Sequence, residues 1–329
     1  MKDTATCKNN LKGKTVVITG ASSGVGRAAA EAFAAEGCNL ILAARGKKGI
    51  DEVVEYCQGF NVLAVGVYAD MSVAEDVNKI TEKALSTTGK IDIWVNNAGV
   101  MASGKFEEIP MEIHEQVIKT NLFGYLHGAY NAIQVFKEQN QGILINNVSI
   151  GGFMPAPYSA VYSATKYGIK GMMECLQGEI SNHKHIHVCN LYPQLQNSTG
   201  NLHSAKYSGF DMKISPIASD PRDTAAAIVK LAKHPKKDAF PDFRAAAITK
   251  TYKLFPKPII NAASTVLRLK MKMNQDKEGD AGNVLTNSKE PLRVYGNLPS
   301  KKRHNLALPL LTGLTIGATL FLLNKTLKE

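Results

Sequence analysis

The chain predicts a doubly wound α/β fold: a three-layer α/β/α sandwich with helices on both faces of an essentially parallel sheet of about seven strands. Three observations predict it. Short β-branched apolar runs alternate with segments of helical periodicity along most of the chain. A cluster of glycines follows the first of these runs, where the backbone must turn tightly from strand into helix. A later apolar run, residues 143–148, ends in Ser149, which places a hydroxyl at the C-terminal edge of a strand, where open α/β sheets bind ligands.

Residues 14–19 (Lys-Thr-Val-Val-Ile-Thr) read as the first buried strand, and residues 24–36 as a helix with Ala28, Ala32 and Phe33 on one side. Between them stands Thr19-Gly20-Ala21-Ser22-Ser23-Gly24-Val25-Gly26. Gly20 permits the turn, and Gly24 and Gly26 let a phosphate and the neighbouring strand approach the backbone. The helix amides and dipole then face a dinucleotide's pyrophosphate. The spacing is Gly-x-x-x-Gly-x-Gly, not the Gly-x-Gly-x-x-Gly of the better-known fingerprint. Residues 39–44 form the second strand. An acid at its end would hydrogen-bond the ribose 2′-hydroxyl of NAD, but the chain reads Ala43-Ala44-Arg45-Gly46-Lys47-Lys48. Arg45 suits a 2′-phosphate; the same cations also suit a solvated loop. Residues 62–69 form the third strand, ending in Asp70; residues 72–87 form a helix; residues 91–95 form the fourth strand, leading into Asn96-Asn97-Ala98-Gly99. A helical pattern covers residues 111–140 and contains Asn121, which needs polar partners if buried.

Tyr162 and Lys166 stand four apart in a helix predicted over residues 159–181, so both side chains share one face. A free phenol titrates near about 10, and a cation roughly 4 Å away at effective dielectric ~20 contributes on the order of 4 kcal/mol before desolvation. Such a tyrosine can exchange a proton with a carbonyl or alcohol oxygen. Alone, the pair better suits a solvated face of an amphipathic helix. Residues 185–192 form a further strand. His183, His185 and His187 alternate there without a nearby carboxylate, so no metal site is predicted. Residues 201–216 read as an irregular, mobile substrate loop. A helix begins at Asp220-Pro221 and runs to about residue 233. Residues 258–273 read as another helix, suited to a substrate lid, a dimer contact or an interfacial position. Residues 274–305 read as a polar linker.

The glycine turn, Asn96-Asn97-Ala98-Gly99, Asn121, Ser149, Tyr162 and Lys166 occur in one order and at spacings that resemble the short-chain dehydrogenase/reductase family over roughly residues 11–235. The resemblance implies a Rossmann-type fold and hydride transfer between a carbonyl and a secondary alcohol, without a metal. It implies that Ser149 binds the substrate oxygen, Tyr162 transfers the proton, Lys166 holds the nicotinamide ribose and lowers the tyrosine pKa, and Asn121 positions a relay water. NADP(H), chosen over NAD(H) by Arg45, is expected against Gly20, Ser22, Ser23, Gly24, Val25, Gly26, Arg45, Asp70, Asn97, Ala98, Gly99, Tyr162, Lys166 and Pro193. Asp70 is expected beside the adenine. The chain departs from the family at Pro193-Gln194, where Pro-Gly is usual, and at Ser198, where the family has Thr. A homo-oligomer is expected. A sugar-nucleotide epimerase or dehydratase shares the Tyr-x-x-x-Lys pair, and a non-catalytic dinucleotide sensor or a membrane scaffold are the other readings. Specificity is expected from residues 151–158, 201–216 and 258–273, but these do not name the small-molecule carbonyl or alcohol.

Residues 1–250 are expected to form the NADP-binding domain, residues 251–305 a basic helical extension and linker, and residues 306–323 an apolar C-terminal helix. The net charge of +11 is uneven, with 17 Lys/Arg against 6 Asp/Glu in residues 230–304. That places the cations just before an 18-residue run without a charge, residues 306–323. An anionic membrane surface is the expected partner, with the catalytic domain cytoplasmic. Pro309, Thr312, Thr315 and Thr319 make the run marginal as a span, and a helix docked on protein is the alternative. Without interleaved aromatics, the basic region does not suggest nucleic acid. The five cysteines are widely spaced and mostly in apolar runs, which predicts reduced core thiols, and no apolar leader precedes the first strand.

Overall fold

The computed structural model describes residues 10–210, 218–274, 278–288 and 292–296. In chain order the strands are β1 (Thr15–Thr19), β2 (Asn39–Ala44), β3 (Ala64–Tyr68), β4 (Ile93–Asn96), β5 (Ala102–Ser103), β6 (Gly142–Asn147), β7 (Ile186–Leu191), β8 (Ala205–Lys206) and β9 (Asp238–Ala239). The α-helices are α1 (Gly24–Ala35), α2 (Lys47–Gln58), α3 (Ala74–Thr88), α4 (Met111–Ile118), α5 (Gly124–Gln139), α6 (Ala160–Glu179), α7 (Thr199–Leu202), α8 (Pro221–Lys233), α9 (Phe243–Leu254) and α10 (Pro256–Lys272).

Seven strands form one parallel sheet in the order β3-β2-β1-β4-β6-β7-β9. The order reverses between β1 and β4, so the carboxyl ends of these strands open a crevice at a topological switch point. The two-residue side-chain period sends alternate positions to opposite layers. Val16, Ile18, Leu40 and Leu42 join α1, α2 and α8 in one core. Val17, Ile41 and Trp94 join α3, α5 and α6 in the other. Asp220 caps α8 by accepting from the Arg222 amide at 2.8 Å, with Pro221 in the first turn as the sequence predicts.

The structure departs from the sequence reading at several points. The 111–140 helix is interrupted by a π-helical turn at Lys119–Phe123, and that turn carries Asn121. The 201–216 loop holds the end of α7 and all of β8, the latter pairing with β5; residues 211–217 lie outside the described residues. Helix α9 had no counterpart in the sequence reading. The described parts of the 274–305 linker are not linker. Val284 is wholly buried in a third core with Val100, Ala102, Ile113, Val117 and Ala205, and Val294 is buried in the first. Two well-placed apolar side chains in an otherwise polar stretch suffice to anchor it, and composition averaged over the stretch hides them.

Cys38, Cys57 and Cys189 are buried, and burial pushes each thiol up to about 12, which leaves them unreactive. Cys175 is exposed on α6, unlike the expected core thiol. Among the described residues no helix is long and apolar enough to cross a membrane; the 306–323 run lies outside them.

Candidate active site

The loop after β6 and the first two turns of α6 bring three predicted side chains to one point. A Cβ added at Gly151 would lie 3.5 Å from Ser149 Oγ, 3.5 Å from the Tyr162 ring and 3.6 Å from Lys166 Cγ. Ser149 adopts φ +110°, a backbone region that L-residues rarely occupy. Its Oγ accepts from the Gly151 amide at 3.1 Å, which holds the hydroxyl at the strand's end. At Gly152 a Cβ would come within 3.2 Å of the Lys166 carbonyl, so a small residue suits that position.

Lys166 is 5% exposed, and its ammonium lies over two ring faces, 5.1 Å from the Tyr125 centroid and 5.5 Å from that of Tyr162. Among the described residues it meets no hydrogen-bond acceptor. Burial therefore pushes its pKa down to about 7. Burial raises the Tyr162 phenol, with the Ser149 hydroxyl pulling the other way. The lowered tyrosine expected from the Lys166 charge is thus not what this geometry produces, because the lysine stands over the ring face and is itself disfavoured as a cation.

Asn121 sits behind this cluster, fully buried. Its Oδ1 accepts from the Val100 amide at 2.8 Å, and its Nδ2 donates to the Val100 carbonyl at 2.9 Å and to Thr165 Oγ1 at 3.3 Å. The side-chain amide is spent on protein. It ties the turn after β4 to the catalytic helix, while the π-helical turn disturbs the regular ladder around its own backbone.

Of the predicted cofactor residues, Gly20, Ser22, Ser23, Gly24, Val25, Arg45, Asp70, Asn97, Ala98, Gly99 and Pro193 line one cleft of about 460 Å³ with Ser149, Tyr162 and Lys166. Gly26 lies under it: a Cβ there would collide with the Gly20 carbonyl, so the glycine lets α1 approach the turn. Gly20 has φ +66° and would bring a Cβ to 2.8 Å from Ala98 Cα. Asn97 closes the same turn, its Nδ2 donating to the Thr19 carbonyl at 2.9 Å, while Thr19 Oγ1 accepts from the Asn97 and Ala98 amides. Gln194, where the family has glycine, is mostly buried and donates to Ser219 Oγ at 2.6 Å while still lining the cleft. Asp70 accepts from the amide and hydroxyl of Ser72, and Arg45 Nη1 lies 3.8 Å from its carboxylate. A second cavity of about 310 Å³ adjoins Tyr162, between α4 and the two loops that carry Phe106 and Tyr158.

The residues fit a dinucleotide. The Val25 and Gly26 amides, in the first turn of α1, have no backbone partner among the described residues, and Lys166 faces the cleft without an acceptor. Among the described residues no cluster of three His, Cys, Asp or Glu offers a metal site.

The family model for short chain dehydrogenases matches residues 14–206. The chain belongs to the short-chain dehydrogenase family. This short-chain dehydrogenase is 31% identical over 252 residues to the uncharacterized oxidoreductase YxnA of Bacillus subtilis, covering 75% of this chain and 70% of that protein. A short-chain dehydrogenase/reductase from Burkholderia phymatum, solved with NAD, shares the fold at TM-score 0.66 and 22% identity, over 73% of this chain and 93% of that one. L-Sorbose reductase from Gluconobacter frateurii, solved with NADPH and L-sorbose, superposes at TM-score 0.63 with 25% identity, over 71% of this chain and 96% of that one.

Three features of this short-chain dehydrogenase escaped the sequence reading. Tyr125 carries the lysine on its ring and donates to the Asn147 carbonyl at 2.6 Å. Its place four residues after Asn121 was the available signal. Asn96, Asn146, Asn190 and Asp238 stand in register across β4, β6, β7 and β9, joined by side-chain hydrogen bonds of 3.0, 3.3 and 3.4 Å. The third feature is the segment after α10, which reaches the cleft.

Proposed function

We propose that this oxidoreductase interconverts a carbonyl and a secondary alcohol with NADP(H). The observation that carries the reading is the meeting of Ser149, Tyr162 and Lys166 at Gly151, on the wall of a cleft whose other end is Arg45. A bound nicotinamide dinucleotide supplies or accepts the hydride. The α1 amides and Lys166 hold it, and Arg45, with no acid at the end of β2, favours the 2′-phosphorylated form. Ser149 donates to the substrate oxygen, and Tyr162 exchanges the proton at that oxygen. Anionic phosphates in the cleft favour the charged form of Lys166, which in turn favours ionisation of the phenol. The substrate class is read as small carbonyls or secondary alcohols reaching Tyr162 through the adjoining cavity.

The test is NADPH oxidation with a panel of aldehydes, ketosteroids, ketoacyl thioesters and sugars. Net consumption supports a reductase, whereas product formation without net consumption would identify an epimerase. Equal affinity for NADPH and NADH would overturn the cofactor choice.

For location, the reading is a membrane surface reached through residues 306–323. Residues 243–274 carry seven Lys/Arg and no Asp/Glu, a composition suited to anionic lipid. Recovery of the full-length protein in the soluble fraction at low salt without detergent would rule that out.

A further inference from the structure

The segment after α10 is seated on the groups that a dinucleotide would use. At its first anchor, Asp280 and Lys206 exchange two backbone hydrogen bonds of 2.8 Å, and Val284 is buried in the third core. Gly282 has φ +53° and a backbone so close to the His203 carbonyl that a Cβ would collide with it. At its second anchor, Val294 enters the first core and the Gly296 amide donates to the Asn197 carbonyl at 3.1 Å. There the Arg293 carbonyl accepts from the Gly24 amide at 3.0 Å and from Thr199 Oγ1 at 2.9 Å, which places it on the first amide of α1. Leu292 packs against Gly49, while Arg27 donates to its carbonyl at 2.7 Å.

Between the anchors, Arg45 is gripped by backbone. Its guanidinium donates to the carbonyls of Asn283 at 2.5 Å and of Val284 and Thr286 at 3.2 Å each. Asn287 lies against Gly46, and Asn283, Asn287, Ser288 and Leu292 line the cleft together with the glycine turn. Leu285, Thr286 and Asn287 are nonetheless exposed. Residues 285–287 are therefore held by polar contacts and little apolar burial, while Val284 and Val294 are fixed in cores. Such a segment opens locally at a smaller cost than the fold around it.

We propose that the described residues 278–288 and 292–296 form a strap that completes the adenosine half of the cleft, and that a dinucleotide enters and leaves only when the strap lifts. The strap orients Arg45, adds Asn287 and Ser288 to the adenosine end, and shares the Gly24 amide and Arg45 with the bound phosphates. The proposal rests on the dinucleotide reading above.

The test uses the full chain with Gly46→Cys and Asn287→Cys. A Cβ at Gly46 lies 3.9 Å from Asn287 Cβ, inside the range of about 3.5–4.5 Å that a disulfide requires. NADPH association and release are followed by stopped-flow fluorescence on the oxidised and reduced forms of the same protein, with the crosslink located by mass spectrometry. The expected result is that oxidation slows both rates by at least about tenfold and reduction restores them. Rates within about twofold of each other, or a cysteine pair that will not oxidise, would overturn the strap. If neither the reduced variant nor the unaltered protein binds NADPH or NADH, the dinucleotide reading itself falls, a result separable from unchanged rates in a protein that binds.

Discussion

The catalytic end of the cleft and its adenosine end are built on different terms. At the catalytic end, Ser149, Tyr162 and Lys166 come from one loop and one helix, and they meet on the cleft wall, with Lys166 buried against the Tyr125 ring. At the adenosine end, Arg45 finds its carbonyl partners 238 to 241 residues further along the chain, on an exposed crossing. The first arrangement is local in the chain and braced by the buried Lys166, so it tolerates little change. The second is remote in sequence and lightly anchored, so it adjusts how tightly and how quickly a ligand is held. A substitution at either end should therefore leave a different signature, and four experiments sharpen or break that distinction.

The largest expected effect is at the catalytic end. Tyr162→Phe removes the proton carrier and little else, so turnover should fall by more than about a hundredfold while dinucleotide affinity stays near that of the unaltered protein. Steady-state kinetics beside a fluorescence titration reads both quantities. Parallel loss of binding would move Tyr162 from chemistry to cofactor retention.

Lys166→Met tests the burial of the lysine through stability. Burial lowers the folded-state pKa from 10.5 to about 7, so the unfolded chain binds more protons between those values and stability rises with pH across that window. Below about 7 the native state bears the full cost of a buried ammonium, on the order of a few kcal/mol. Replacing the lysine should raise the melting temperature at pH 6, with the gain shrinking as the pH approaches 10, while dinucleotide affinity falls. Thermal melts at pH 6, 8 and 10 decide it; a gain independent of pH would mean that packing, not charge, is responsible.

Arg45→Ala probes the other end. It should erase the preference for NADPH over NADH, at about 1.5–3 kcal/mol for charge-assisted hydrogen bonds, and leave turnover at saturating cofactor nearly intact. Dissociation constants for both dinucleotides give the answer. A large fall in turnover at saturation would show that the two ends are not separable.

The smallest effect is reserved for the strap's first anchor. Gly282→Ala introduces a Cβ at φ +53° against the His203 carbonyl, a local strain of about 1–3 kcal/mol. Amide exchange should quicken over residues 283–286 with little change at β1 and β2. Uniform quickening would mean that the strap is part of the global fold and does not lift on its own.

By itself, the sequence determined the parallel sheet, the position of the glycine turn and many of the residues that line the cleft. Those features rest on short spacings: a two-residue alternation puts Val16 and Ile18 in one core and Val17 in the other, and a four-residue step puts Tyr162 and Lys166 on one face. Tertiary structure alone decided the π-helical turn at Asn121, the Asn96-Asn146-Asn190-Asp238 row, the Tyr125 platform and the return of residues 283–286 to Arg45. Each of these joins residues far apart in the chain, or depends on where a buried polar group finds its partner. Periodicity reports which side of an element is apolar, but it carries no record of which distant carbonyl an arginine will meet. It also misreads a polar segment anchored by two buried valines, because two side chains suffice to hold the ends while the average composition still describes a linker. The charge on Lys166 follows the same logic: spacing set its distance from Tyr162 along the helix, but only burial by the packed surroundings pushes its pKa down.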